Sequence, residues 1–346
     1  MLSRQRGYGG RVSDRRPGLD PAVAEVRRAV REALTGLAEG SVVVVALSGG
    51  ADSLALAAAA AFEAPKAGVR VVSVTVDHGL QEGSADAAAA AAAQARHFGI
   101  EARIVRVTVE AGGGPEAAAR SARYAALRDE ASALRAAAIL TGHTLDDQAE
   151  TVLLGLARGA GASSLQGMAA AGDLDGVALL RPLLGVRRVT TRAACAAEGL
   201  VPWDDPHNAD PRFARVRVRR TVLPLLEAEL GPGIAEALAR TAAQLREDAE
   251  AFDEMIDETI EDIVEHVEAG ISVSAGALAA NPAALRHRII RHVVASEFHQ
   301  SLTRVQTLEV ARLVTDWSGQ GPIDLPGCRA QRVGGRIEFT ARAASD

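Results

Sequence analysis

The 346-residue sequence contains a single lysine, Lys66, and its other 37 basic residues are all arginines. A Walker A loop needs a lysine that follows glycine and precedes Ser or Thr. Lys66 follows Pro65 and precedes Ala67. This class of phosphate-binding loop is therefore excluded.

Cysteine is also scarce, with Cys195 and Cys328 as the only two. They cannot form a disulfide framework, and neither belongs to a CxxC pair of the kind that holds zinc or an iron–sulfur cluster. No apolar run reaches the roughly 18 residues that a membrane helix needs, and the Arg- and Gly-rich N-terminus lacks the hydrophobic segment of a signal peptide. We therefore expect a cytoplasmic protein without a membrane partner.

The charge is unevenly distributed along the chain. The formal net charge is −6, and residues 241–270 alone contain eleven acidic residues and one arginine, which leaves +4 for the remainder. Residues 181–220 contain nine arginines against four acidic residues. Such a locally basic segment is compatible with nucleic-acid binding even in an acidic protein.

The length predicts two domains, and the pattern of apolar residues predicts their classes. Residues 41–47 read Ser-Val-Val-Val-Val-Ala-Leu, which is typical of a strand buried on both faces of a parallel sheet. Strand and helix patterns then alternate as far as a helix that begins near Asp146, which predicts an α/β fold with a doubly wound, mostly parallel sheet.

The later sequence predicts a C-terminal helical domain that ends in short strands. An apolar stripe at helical spacing runs from Phe252 to Val267, and punctuated strand patterns occupy residues 323–340. We divide the chain into a flexible basic arm at residues 1–20, an α/β domain at 21–220 that ends in an Arg-rich linker helix, and a helical domain at 221–346.

Three loops are expected to share one crevice, because the carboxyl ends of adjacent parallel strands meet at one edge of a sheet. The first is Ser48-Gly49-Gly50-Ala51-Asp52-Ser53, between the buried strand and a helix. Its glycines and helix N-terminus suit a pyrophosphate-like anion, although an ordinary capped turn would contain similar residues. The other two loops contain Asp77-His78-Gly79 and Gly142-His143-Thr144.

Two carboxylates, Asp147 and Glu150, are three residues apart at a predicted helix start and so lie on one face. They could hold Mg²⁺, bind an ammonium group, accept a proton, or only complement the helix dipole. The Arg-rich helix, with five arginines in residues 212–220, predicts phosphate contacts rather than a solvated face. Tyr124 could stack on a base or pack within a helix.

These motifs together resemble the tRNA(Ile)-lysidine synthetase family of the PP-loop ATP pyrophosphatase superfamily. The first loop matches the SGGxDS motif of the superfamily, and Gly142 through Gly161 matches the family pattern GHTxDDQxETxLLxLxRGxG. Val76-Asp77-His78-Gly79-Leu80, Arg181-Pro182-Leu183-Leu184 and Ile323-Asp324-Leu325-Pro326-Gly327 fit the same family. One departure is Val216, which lies between Arg215 and Arg217 at a position where the family commonly has Asn.

The resemblance implies ATP-dependent transfer of L-lysine to C2 of the wobble cytidine of an isoleucine tRNA with a CAU anticodon. It makes residues 21–220 the ATP-binding adenylation domain and residues 221–346 a tRNA-binding domain. The implied catalytic residues are Asp52, Asp147, Glu150 and Arg215. ATP would bind at Ser48, Gly49, Gly50, Ala51, Asp52, Ser53, Asp77, His78, Gly142 and His143. Mg²⁺ would accompany ATP at Asp52 and Asp146. The tRNA would contact Arg120, Arg123, Arg212, Arg217, Arg219 and Arg220.

Two alternatives stay open at this point. One is another PP-loop tRNA-modifying enzyme such as a thiolase, although a thiolase of the cysteine-pair type needs more cysteines than this chain has. The other is a non-catalytic nucleotide-binding module, which needs neither a carboxylate pair nor an arginine cluster. A homodimer also stays open, because the sequence does not determine the oligomeric state.

Overall fold

The chain forms two compact units, the first up to Leu245 and the second from Arg246. The computed structural model describes residues 18–79, 83–108, 115–159, 161–267 and 270–342. Most of the predicted basic arm therefore lies outside the described residues. The boundary that the sequence suggests, between residues 220 and 221, stays a prediction.

The first unit is built on a sheet with the strand order β3-β2-β1-β4-β6-β5. All neighbouring strands are parallel except β5 and β6, which form an antiparallel hairpin at one edge. The mostly parallel α/β sheet predicted from the sequence is therefore confirmed. Its strands are β1 (Val42–Ala46), β2 (Arg70–Asp77), β3 (Glu101–Arg106), β4 (Ala138–Leu140), β5 (Ala171–Leu174) and β6 (Val177–Leu180).

Helices cover both faces of this sheet. In chain order, the helices of this unit begin with α1 (Pro21–Leu34), α2 (Ala51–Glu63), α3 (Ser84–His97), α4 (Pro115–Ala133), α5 (Leu145–Ala157), α6 (Gly161–Leu165), α7 (Arg188–Ala197), α8 (Ala214–Arg217) and α9 (Leu223–Leu230). The chain between α8 and α9 stays helical but widens into a π-helical turn at Val218–Val222. A further helix, α10 (Ile234–Ile263), contains the boundary between the two units.

Strand β1 shows why the sheet needs helices on both faces. Val43 and Val45 pack into one apolar cluster with residues of α1, α2 and α7, whereas Val44 packs into a second cluster with Leu127 of α4 and Ile139 of β4. The three valines are fully buried. Burial of each such side chain contributes about 1.5–3 kcal/mol. The unbroken valine run gains this stabilisation on both faces of the strand only if helices cover both sides of the sheet.

The single lysine has a structural position. Lys66 Nζ lies 3.2 Å from the buried carboxylate of Glu63 and 3.4 Å from the centre of the Phe62 ring. Arg31 donates to the same carboxylate from α1. Glu63 therefore joins the end of α2 to α1, and Lys66 adds a second cation to its carboxylate.

The second unit consists of helices packed on a five-stranded antiparallel sheet with the order β7-β8-β11-β10-β9. Its helices are α11 (Ala275–Ala280), α12 (Ala283–Phe298) and α13 (Arg304–Thr315), together with the end of α10. Its strands are β7 (Val264–Val267), β8 (Gly270–Ser274), β9 (Ile323–Asp324), β10 (Cys328–Val333) and β11 (Arg336–Ala341). The predicted terminal strands are confirmed. Strand β8 is an addition that the sequence pattern did not reveal.

The predicted helical stripe through Val267 is wrong at its end. Helix α10 stops at Ile263, and Val264–Val267 forms strand β7, which pairs with β8 in the register Val264 to Val273. A short run of apolar residues fits helical and strand periodicity equally well. Residues 264–267 adopt the strand conformation because they pair with β8, which itself pairs with the C-terminal strand β11. Among the described residues, no helix has both the length and the apolar character needed to cross a membrane.

Candidate active site

A cavity of about 360 Å³ lies at the carboxyl ends of β1, β2 and β4. The loops that follow these strands all contribute to its lining, as the sequence predicted. Eight of the residues assigned to ATP line it, namely Ser48, Gly50, Asp52, Ser53, Asp77, His78, Gly142 and His143. The cavity is within the size range of small-molecule sites.

The glycine-rich loop is held by hydrogen bonds between its own residues. Ser53 Oγ lies 3.1 Å from Ser48 Oγ, donates to the Gly50 carbonyl at 2.9 Å and accepts from the Ser48 amide at 3.1 Å. Gly49 has a φ of 83°, which favours glycine. The first amides of α2 have no partner within the helix, so the loop and helix start provide donors for an anion.

Gly142 lets the third loop approach the first. A Cβ atom at this position would lie 3.0 Å from the Asp52 carbonyl carbon and 3.1 Å from the Ser53 nitrogen. Both atoms belong to the backbone of the first turn of α2 and cannot move independently. Glycine at 142 therefore brings the two loops together at one end of the cavity.

Asp52 is the acidic side chain of the glycine-rich loop. It accepts a short hydrogen bond from Thr191 Oγ1, and Arg188 Nε lies 3.5 Å from its Oδ2. Burial raises the pKa of Asp52 above its ordinary value, although Thr191 and Arg188 oppose this shift. About a quarter of the side chain is still exposed to the cavity.

The two other loop residues differ in how they are held. Asp77 is buried and accepts from Ser84 Oγ at 2.8 Å and from the Gly79 amide at 3.1 Å, and these contacts lower its pKa. His143 Nδ1 lies 2.9 Å from Thr141 Oγ1, and burial lowers the pKa of His143 to about 4. His143 is thus neutral at pH 7 and can exchange hydrogen bonds with a ligand without carrying charge.

Asp147 and Glu150 share one face of α5, as predicted, and arginines surround both. Arg188 donates to Asp147 at 2.7 Å and to Glu150 at 3.1 Å, and Arg219 donates to Asp147 at 3.3 Å and to Glu150 at 2.7 Å. Arg215 lies 3.7 Å from Glu150, which is fully buried. In this structure, arginines occupy the positions that a substrate ammonium group would take. The lysine-binding role of the two carboxylates therefore stays a prediction.

The acids and arginines of this network shift each other's protonation. Burial acts to raise the pKa of Asp147, but Arg188 and Thr144 bring it below its ordinary value. Burial likewise acts to lower the pKa of Arg188, but Asp147, Glu150 and Asp52 raise it. Asp147 and Arg188 are therefore both charged at neutral pH.

Asp146 faces a different cavity, of about 130 Å³, which Glu150, Arg188 and Arg219 also line. Its Oδ2 atom accepts from the Arg188 amide at 2.7 Å and from Arg187 Nε at 3.2 Å. Asp52 lines only the larger of the two cavities. Within the described residues, no group of three or more acidic, His or Cys side chains is arranged to hold a metal ion.

The arginines assigned to tRNA fall into two groups. Arg120 and Arg123 line the larger cavity beside Tyr124, and Arg120 lies 4.9 Å from the centre of the Tyr124 ring. The other assigned arginines lie at or near α8. Arg212 pairs with Asp210, Arg217 donates to the carbonyls of Pro211 and Arg212, Arg219 joins the carboxylate network, and Arg220 is exposed.

Several residues of the site were missed by the sequence analysis. Arg188 and Thr191 of α7 contact Asp52 from a position almost 140 residues later in the chain. Trp203, Asp205 and Asn208 line the larger cavity, and the Trp203 amide donates to the Gly49 carbonyl at 2.9 Å. The available signals were their place in a polar loop, where Asp205-Pro206-His207-Asn208 also fits the family pattern, and in the helix after Arg181-Pro182-Leu183-Leu184.

Comparisons with known proteins match segments of both units. A family model described as a PP-loop domain matches residues 23–226, and one described as a TilS substrate binding domain matches residues 274–338. The tRNA(Ile)-lysidine synthase of Leifsonia xyli subsp. xyli is 60% identical over 88% of this chain and 91% of that protein. The tRNA(Ile)-lysidine synthase of Thermobifida fusca is 52% identical over 94% of this chain and 99% of that protein.

A solved structure of a U34-tRNA thiolase from Methanococcus maripaludis with its [4Fe-4S] cluster shares the fold. The two structures match over 65% of this chain and 79% of the thiolase chain, with a TM-score of 0.56. The sequence identity is 21%, so the likeness shows the fold and nothing about the reaction.

Gly142→Ala should destabilise the first unit. Its Cβ would press on the backbone of α2, and overpacking of this kind costs about 1–3 kcal/mol. Gly185→Ala is the matched control, because a Cβ there meets nothing within 4 Å, and it should change the free energy of unfolding by about 0.5 kcal/mol or less. Thermal or urea unfolding of both variants measures the difference. Equal stability of the two would contradict the close approach of these loops.

Proposed function

This chain belongs to the tRNA(Ile)-lysidine synthase family, and from that premise we propose how its larger cavity carries out the reaction. The chain is an ATP-using ligase that forms lysidine on tRNA. We propose that ATP binds at the glycine-rich loop, that the acceptor is the wobble cytidine of an isoleucine tRNA with a CAU anticodon, and that the second substrate is L-lysine.

The observation that carries this proposal is the convergence of three loops on a cavity with unused hydrogen-bonding groups. The start of α2 supplies amides without helical partners. Thr75 lines the same cavity, and its buried Oγ1 atom has no hydrogen-bond partner among the described residues. An unpaired buried hydroxyl is costly unless a ligand or water satisfies it. Both features fit a nucleotide that is rich in acceptors.

The proposed chemistry has two steps. First, O2 of the cytidine attacks the α-phosphorus of ATP, so that an O–P bond forms, the bond to the β-phosphate bridge breaks and pyrophosphate leaves. The ε-amine of lysine then forms a bond to C2, the C2–O2 bond breaks, AMP leaves and the amine gives up its proton. The first step is needed because a carbonyl oxygen is a poor leaving group.

The charged residues have separate roles in this proposal. Mg²⁺ usually binds through one or two carboxylates together with substrate phosphates, and Asp52 is suited to hold it because its carboxylate is partly exposed in the cavity. The ion would offset charge on the phosphates. Asp146 is less suited, because Arg187 and the Arg188 amide already use its Oδ2 atom.

Arg188 is the cation best placed to act in both steps. It contacts Asp52 on one side and Asp147 and Glu150 on the other, and it lines both cavities. We infer that lysine binding exchanges an arginine for the substrate ammonium at Asp147, and that the released guanidinium can then offset phosphate charge. Arg215 contacts Glu150 without lining the larger cavity, so its proposed catalytic role would act through Glu150.

The tRNA contacts are proposed at the rim of the larger cavity. A base must leave its stack before chemistry can occur on it, and aromatic and arginine side chains support such a base. Arg120, Arg123 and Tyr124 line the cavity and suit this role. Exposed Arg212, Arg217 and Arg220 are proposed to contact phosphates, whereas Arg219 is proposed to act mainly in the carboxylate network.

The thiolase alternative has less support than lysidine formation. Burial raises the pKa of the Cys195 and Cys328 thiols to about 11, so both stay protonated and poorly reactive at neutral pH. The relatives argue against the non-catalytic alternative. They are named as synthases, and they match 88% and 94% of this chain. The cytoplasmic location and the homodimer stay predictions.

Asp52→Asn should abolish release of pyrophosphate while the fold is retained. Loss of one preorganised charge at a reacting phosphate typically lowers kcat by about 100-fold or more. Release of pyrophosphate is measured with ATP and isoleucine tRNA. Asp129→Asn removes one exposed acid that pairs with Arg128 and should leave the rate unchanged. A folded Asp52→Asn protein with the normal rate would remove Asp52 from the mechanism.

Asp147→Asn and Glu150→Gln should impair lysine transfer more than ATP binding. An ammonium substrate needs a negative partner in a site from which water is excluded. For Asp147→Asn we expect a raised KM for lysine, with partial recovery at high lysine concentration. Glu150→Gln should also lower the melting temperature, because its buried carboxylate balances three arginines. A variant with wild-type transfer at subsaturating lysine would show that its residue has no such role.

A further inference from the structure

Helix α7 brings Arg188 and Thr191 to the site, but its own sequence gives it an unfavourable start. The helix begins at Arg188, and Arg187 precedes it as the N-cap residue. The Arg187 side chain does not cap the helix, and the first turn contains no acidic residue. The start of a helix dipole is positive and its first amides lack helical partners, so two arginines at this place disfavour the helix. An anion from elsewhere in the chain would offset both deficits.

Asp146 supplies this anion from α5, 42 residues earlier in the chain. Its Oδ2 atom accepts from the Arg188 amide at 2.7 Å and from Arg187 Nε at 3.2 Å. The backbone joins the same two helices beside this contact, because the Leu145 amide donates to the Val186 carbonyl at 2.9 Å. The start of α5 is therefore fastened to the start of α7 by backbone amides of both helices and by an ion pair.

The acids of α5 divide the contacts with Arg188 between them. Asp146 holds the backbone amide of Arg188, whereas Asp147 and Glu150 accept from its guanidinium at 2.7 and 3.1 Å. Both the backbone and the head of this long side chain are thus fixed. A group held in this way is already oriented before a substrate arrives, which is the arrangement that catalytic sites require.

We propose that Asp146 is a positioning residue for the reaction. It fixes the start of α7 and thereby sets Arg188 and Thr191 against Asp52. Asp146 acts through α7, and its place agrees with this role, because it lines the smaller cavity whereas Asp52 lines the larger one and Arg188 lines both. The proposal rests on the proposed function, since it takes Arg188 as the cation that acts on the phosphates, and it deepens that function by giving Asp146 a role other than metal binding.

The test compares Asp146→Ala with Asp146→Asn and with Asp20→Ala. Asparagine keeps an oxygen that can accept from the Arg188 amide, and alanine removes it. The control removes a carboxylate that caps another helix of the same unit, because Asp20 accepts from the Ala22 amide at the start of α1. Loss of either cap should lower the melting temperature by about 2–4 °C. Rates are therefore measured at a temperature at which every variant is folded.

Only Asp146→Ala should lose activity. We expect kcat for pyrophosphate release to fall by about 10- to 100-fold, because a small misplacement of a reacting group is costly. Asp146→Asn should keep most of the wild-type rate, and Asp20→Ala should keep all of it. The Mg²⁺ concentration that gives half of the maximal rate should be the same for all of these proteins, since a positioning residue does not bind the ion.

A double variant shows whether Asp146 acts through Arg188. Once Arg188→Gln has removed the guanidinium, the further change Asp146→Ala should lower kcat far less than it does in the wild-type protein. Residues that act as one unit give such non-additive losses. Losses that multiply in full would mean that the two residues act independently, and this result would contradict the proposal.

Other results would also overturn the positioning role. One is a normal rate in folded Asp146→Ala protein, and another is an equal loss of rate in Asp20→Ala. A third is an asparagine variant that is as inactive as the alanine variant and needs more Mg²⁺, which would make Asp146 a metal ligand.

Failure of the proposed function would look different. The wild-type protein would then attach no lysine to isoleucine tRNA. If the wild type formed lysidine and Asp146→Ala formed it at the same rate, only the positioning role of Asp146 would be lost.

Discussion

The ion pairs of Arg188 hold together the parts of the first unit that must meet at the site. Its guanidinium joins Asp52, at the start of α2, to Asp147 and Glu150 on α5. Thr191, one turn further along α7, also binds Asp52. Buried carboxylates are stable as ions only beside cations, so the glycine-rich loop and the carboxylate pair depend on the same helix. Arg219 completes the arrangement from the π-helical turn after α8.

This network balances its own charge in the free protein. Three acids, Asp52, Asp147 and Glu150, face three arginines, Arg188, Arg215 and Arg219. An ammonium group that enters this network must therefore exchange partners with an existing ion pair. Exchange of this kind would link the two proposed substrates physically, because Arg188, which pairs with both carboxylates, also lies 3.5 Å from Asp52 of the glycine-rich loop. The half-buried, neutral His143 adds no charge to this balance.

Much of the fold and part of the site could be predicted from sequence, because the responsible signals are local. The valine run of β1, the glycine-rich loop and the spacing of Asp147 and Glu150 each lie within a few residues, and the meeting of three loops follows from parallel strand order. Arg188 and Thr191 could not be found in this way, since their partners are distant in sequence and nothing local distinguishes them from other residues of an amphipathic helix. The β5–β6 hairpin did carry a local signal that was missed, namely the Asp175-Gly176 dipeptide at its turn. This dipeptide is typical of tight hairpin turns in which both residues have positive φ values, as they do here. Strand β7 could not be separated from a helix by its pattern, since only its pairing with β8 decides its conformation.

One cavity is proposed to adenylate the cytidine first and then to join lysine to it. The most direct measurement incubates the wild-type protein with ATP, isotopically labelled lysine and isoleucine tRNA with a CAU anticodon, beside the same tRNA with the wobble cytidine replaced by uridine. We expect label to enter only the cytidine-containing tRNA, with one AMP and one pyrophosphate released for each lysine attached. Folded protein that releases AMP and pyrophosphate without attaching lysine, or that labels both tRNAs equally, would contradict it.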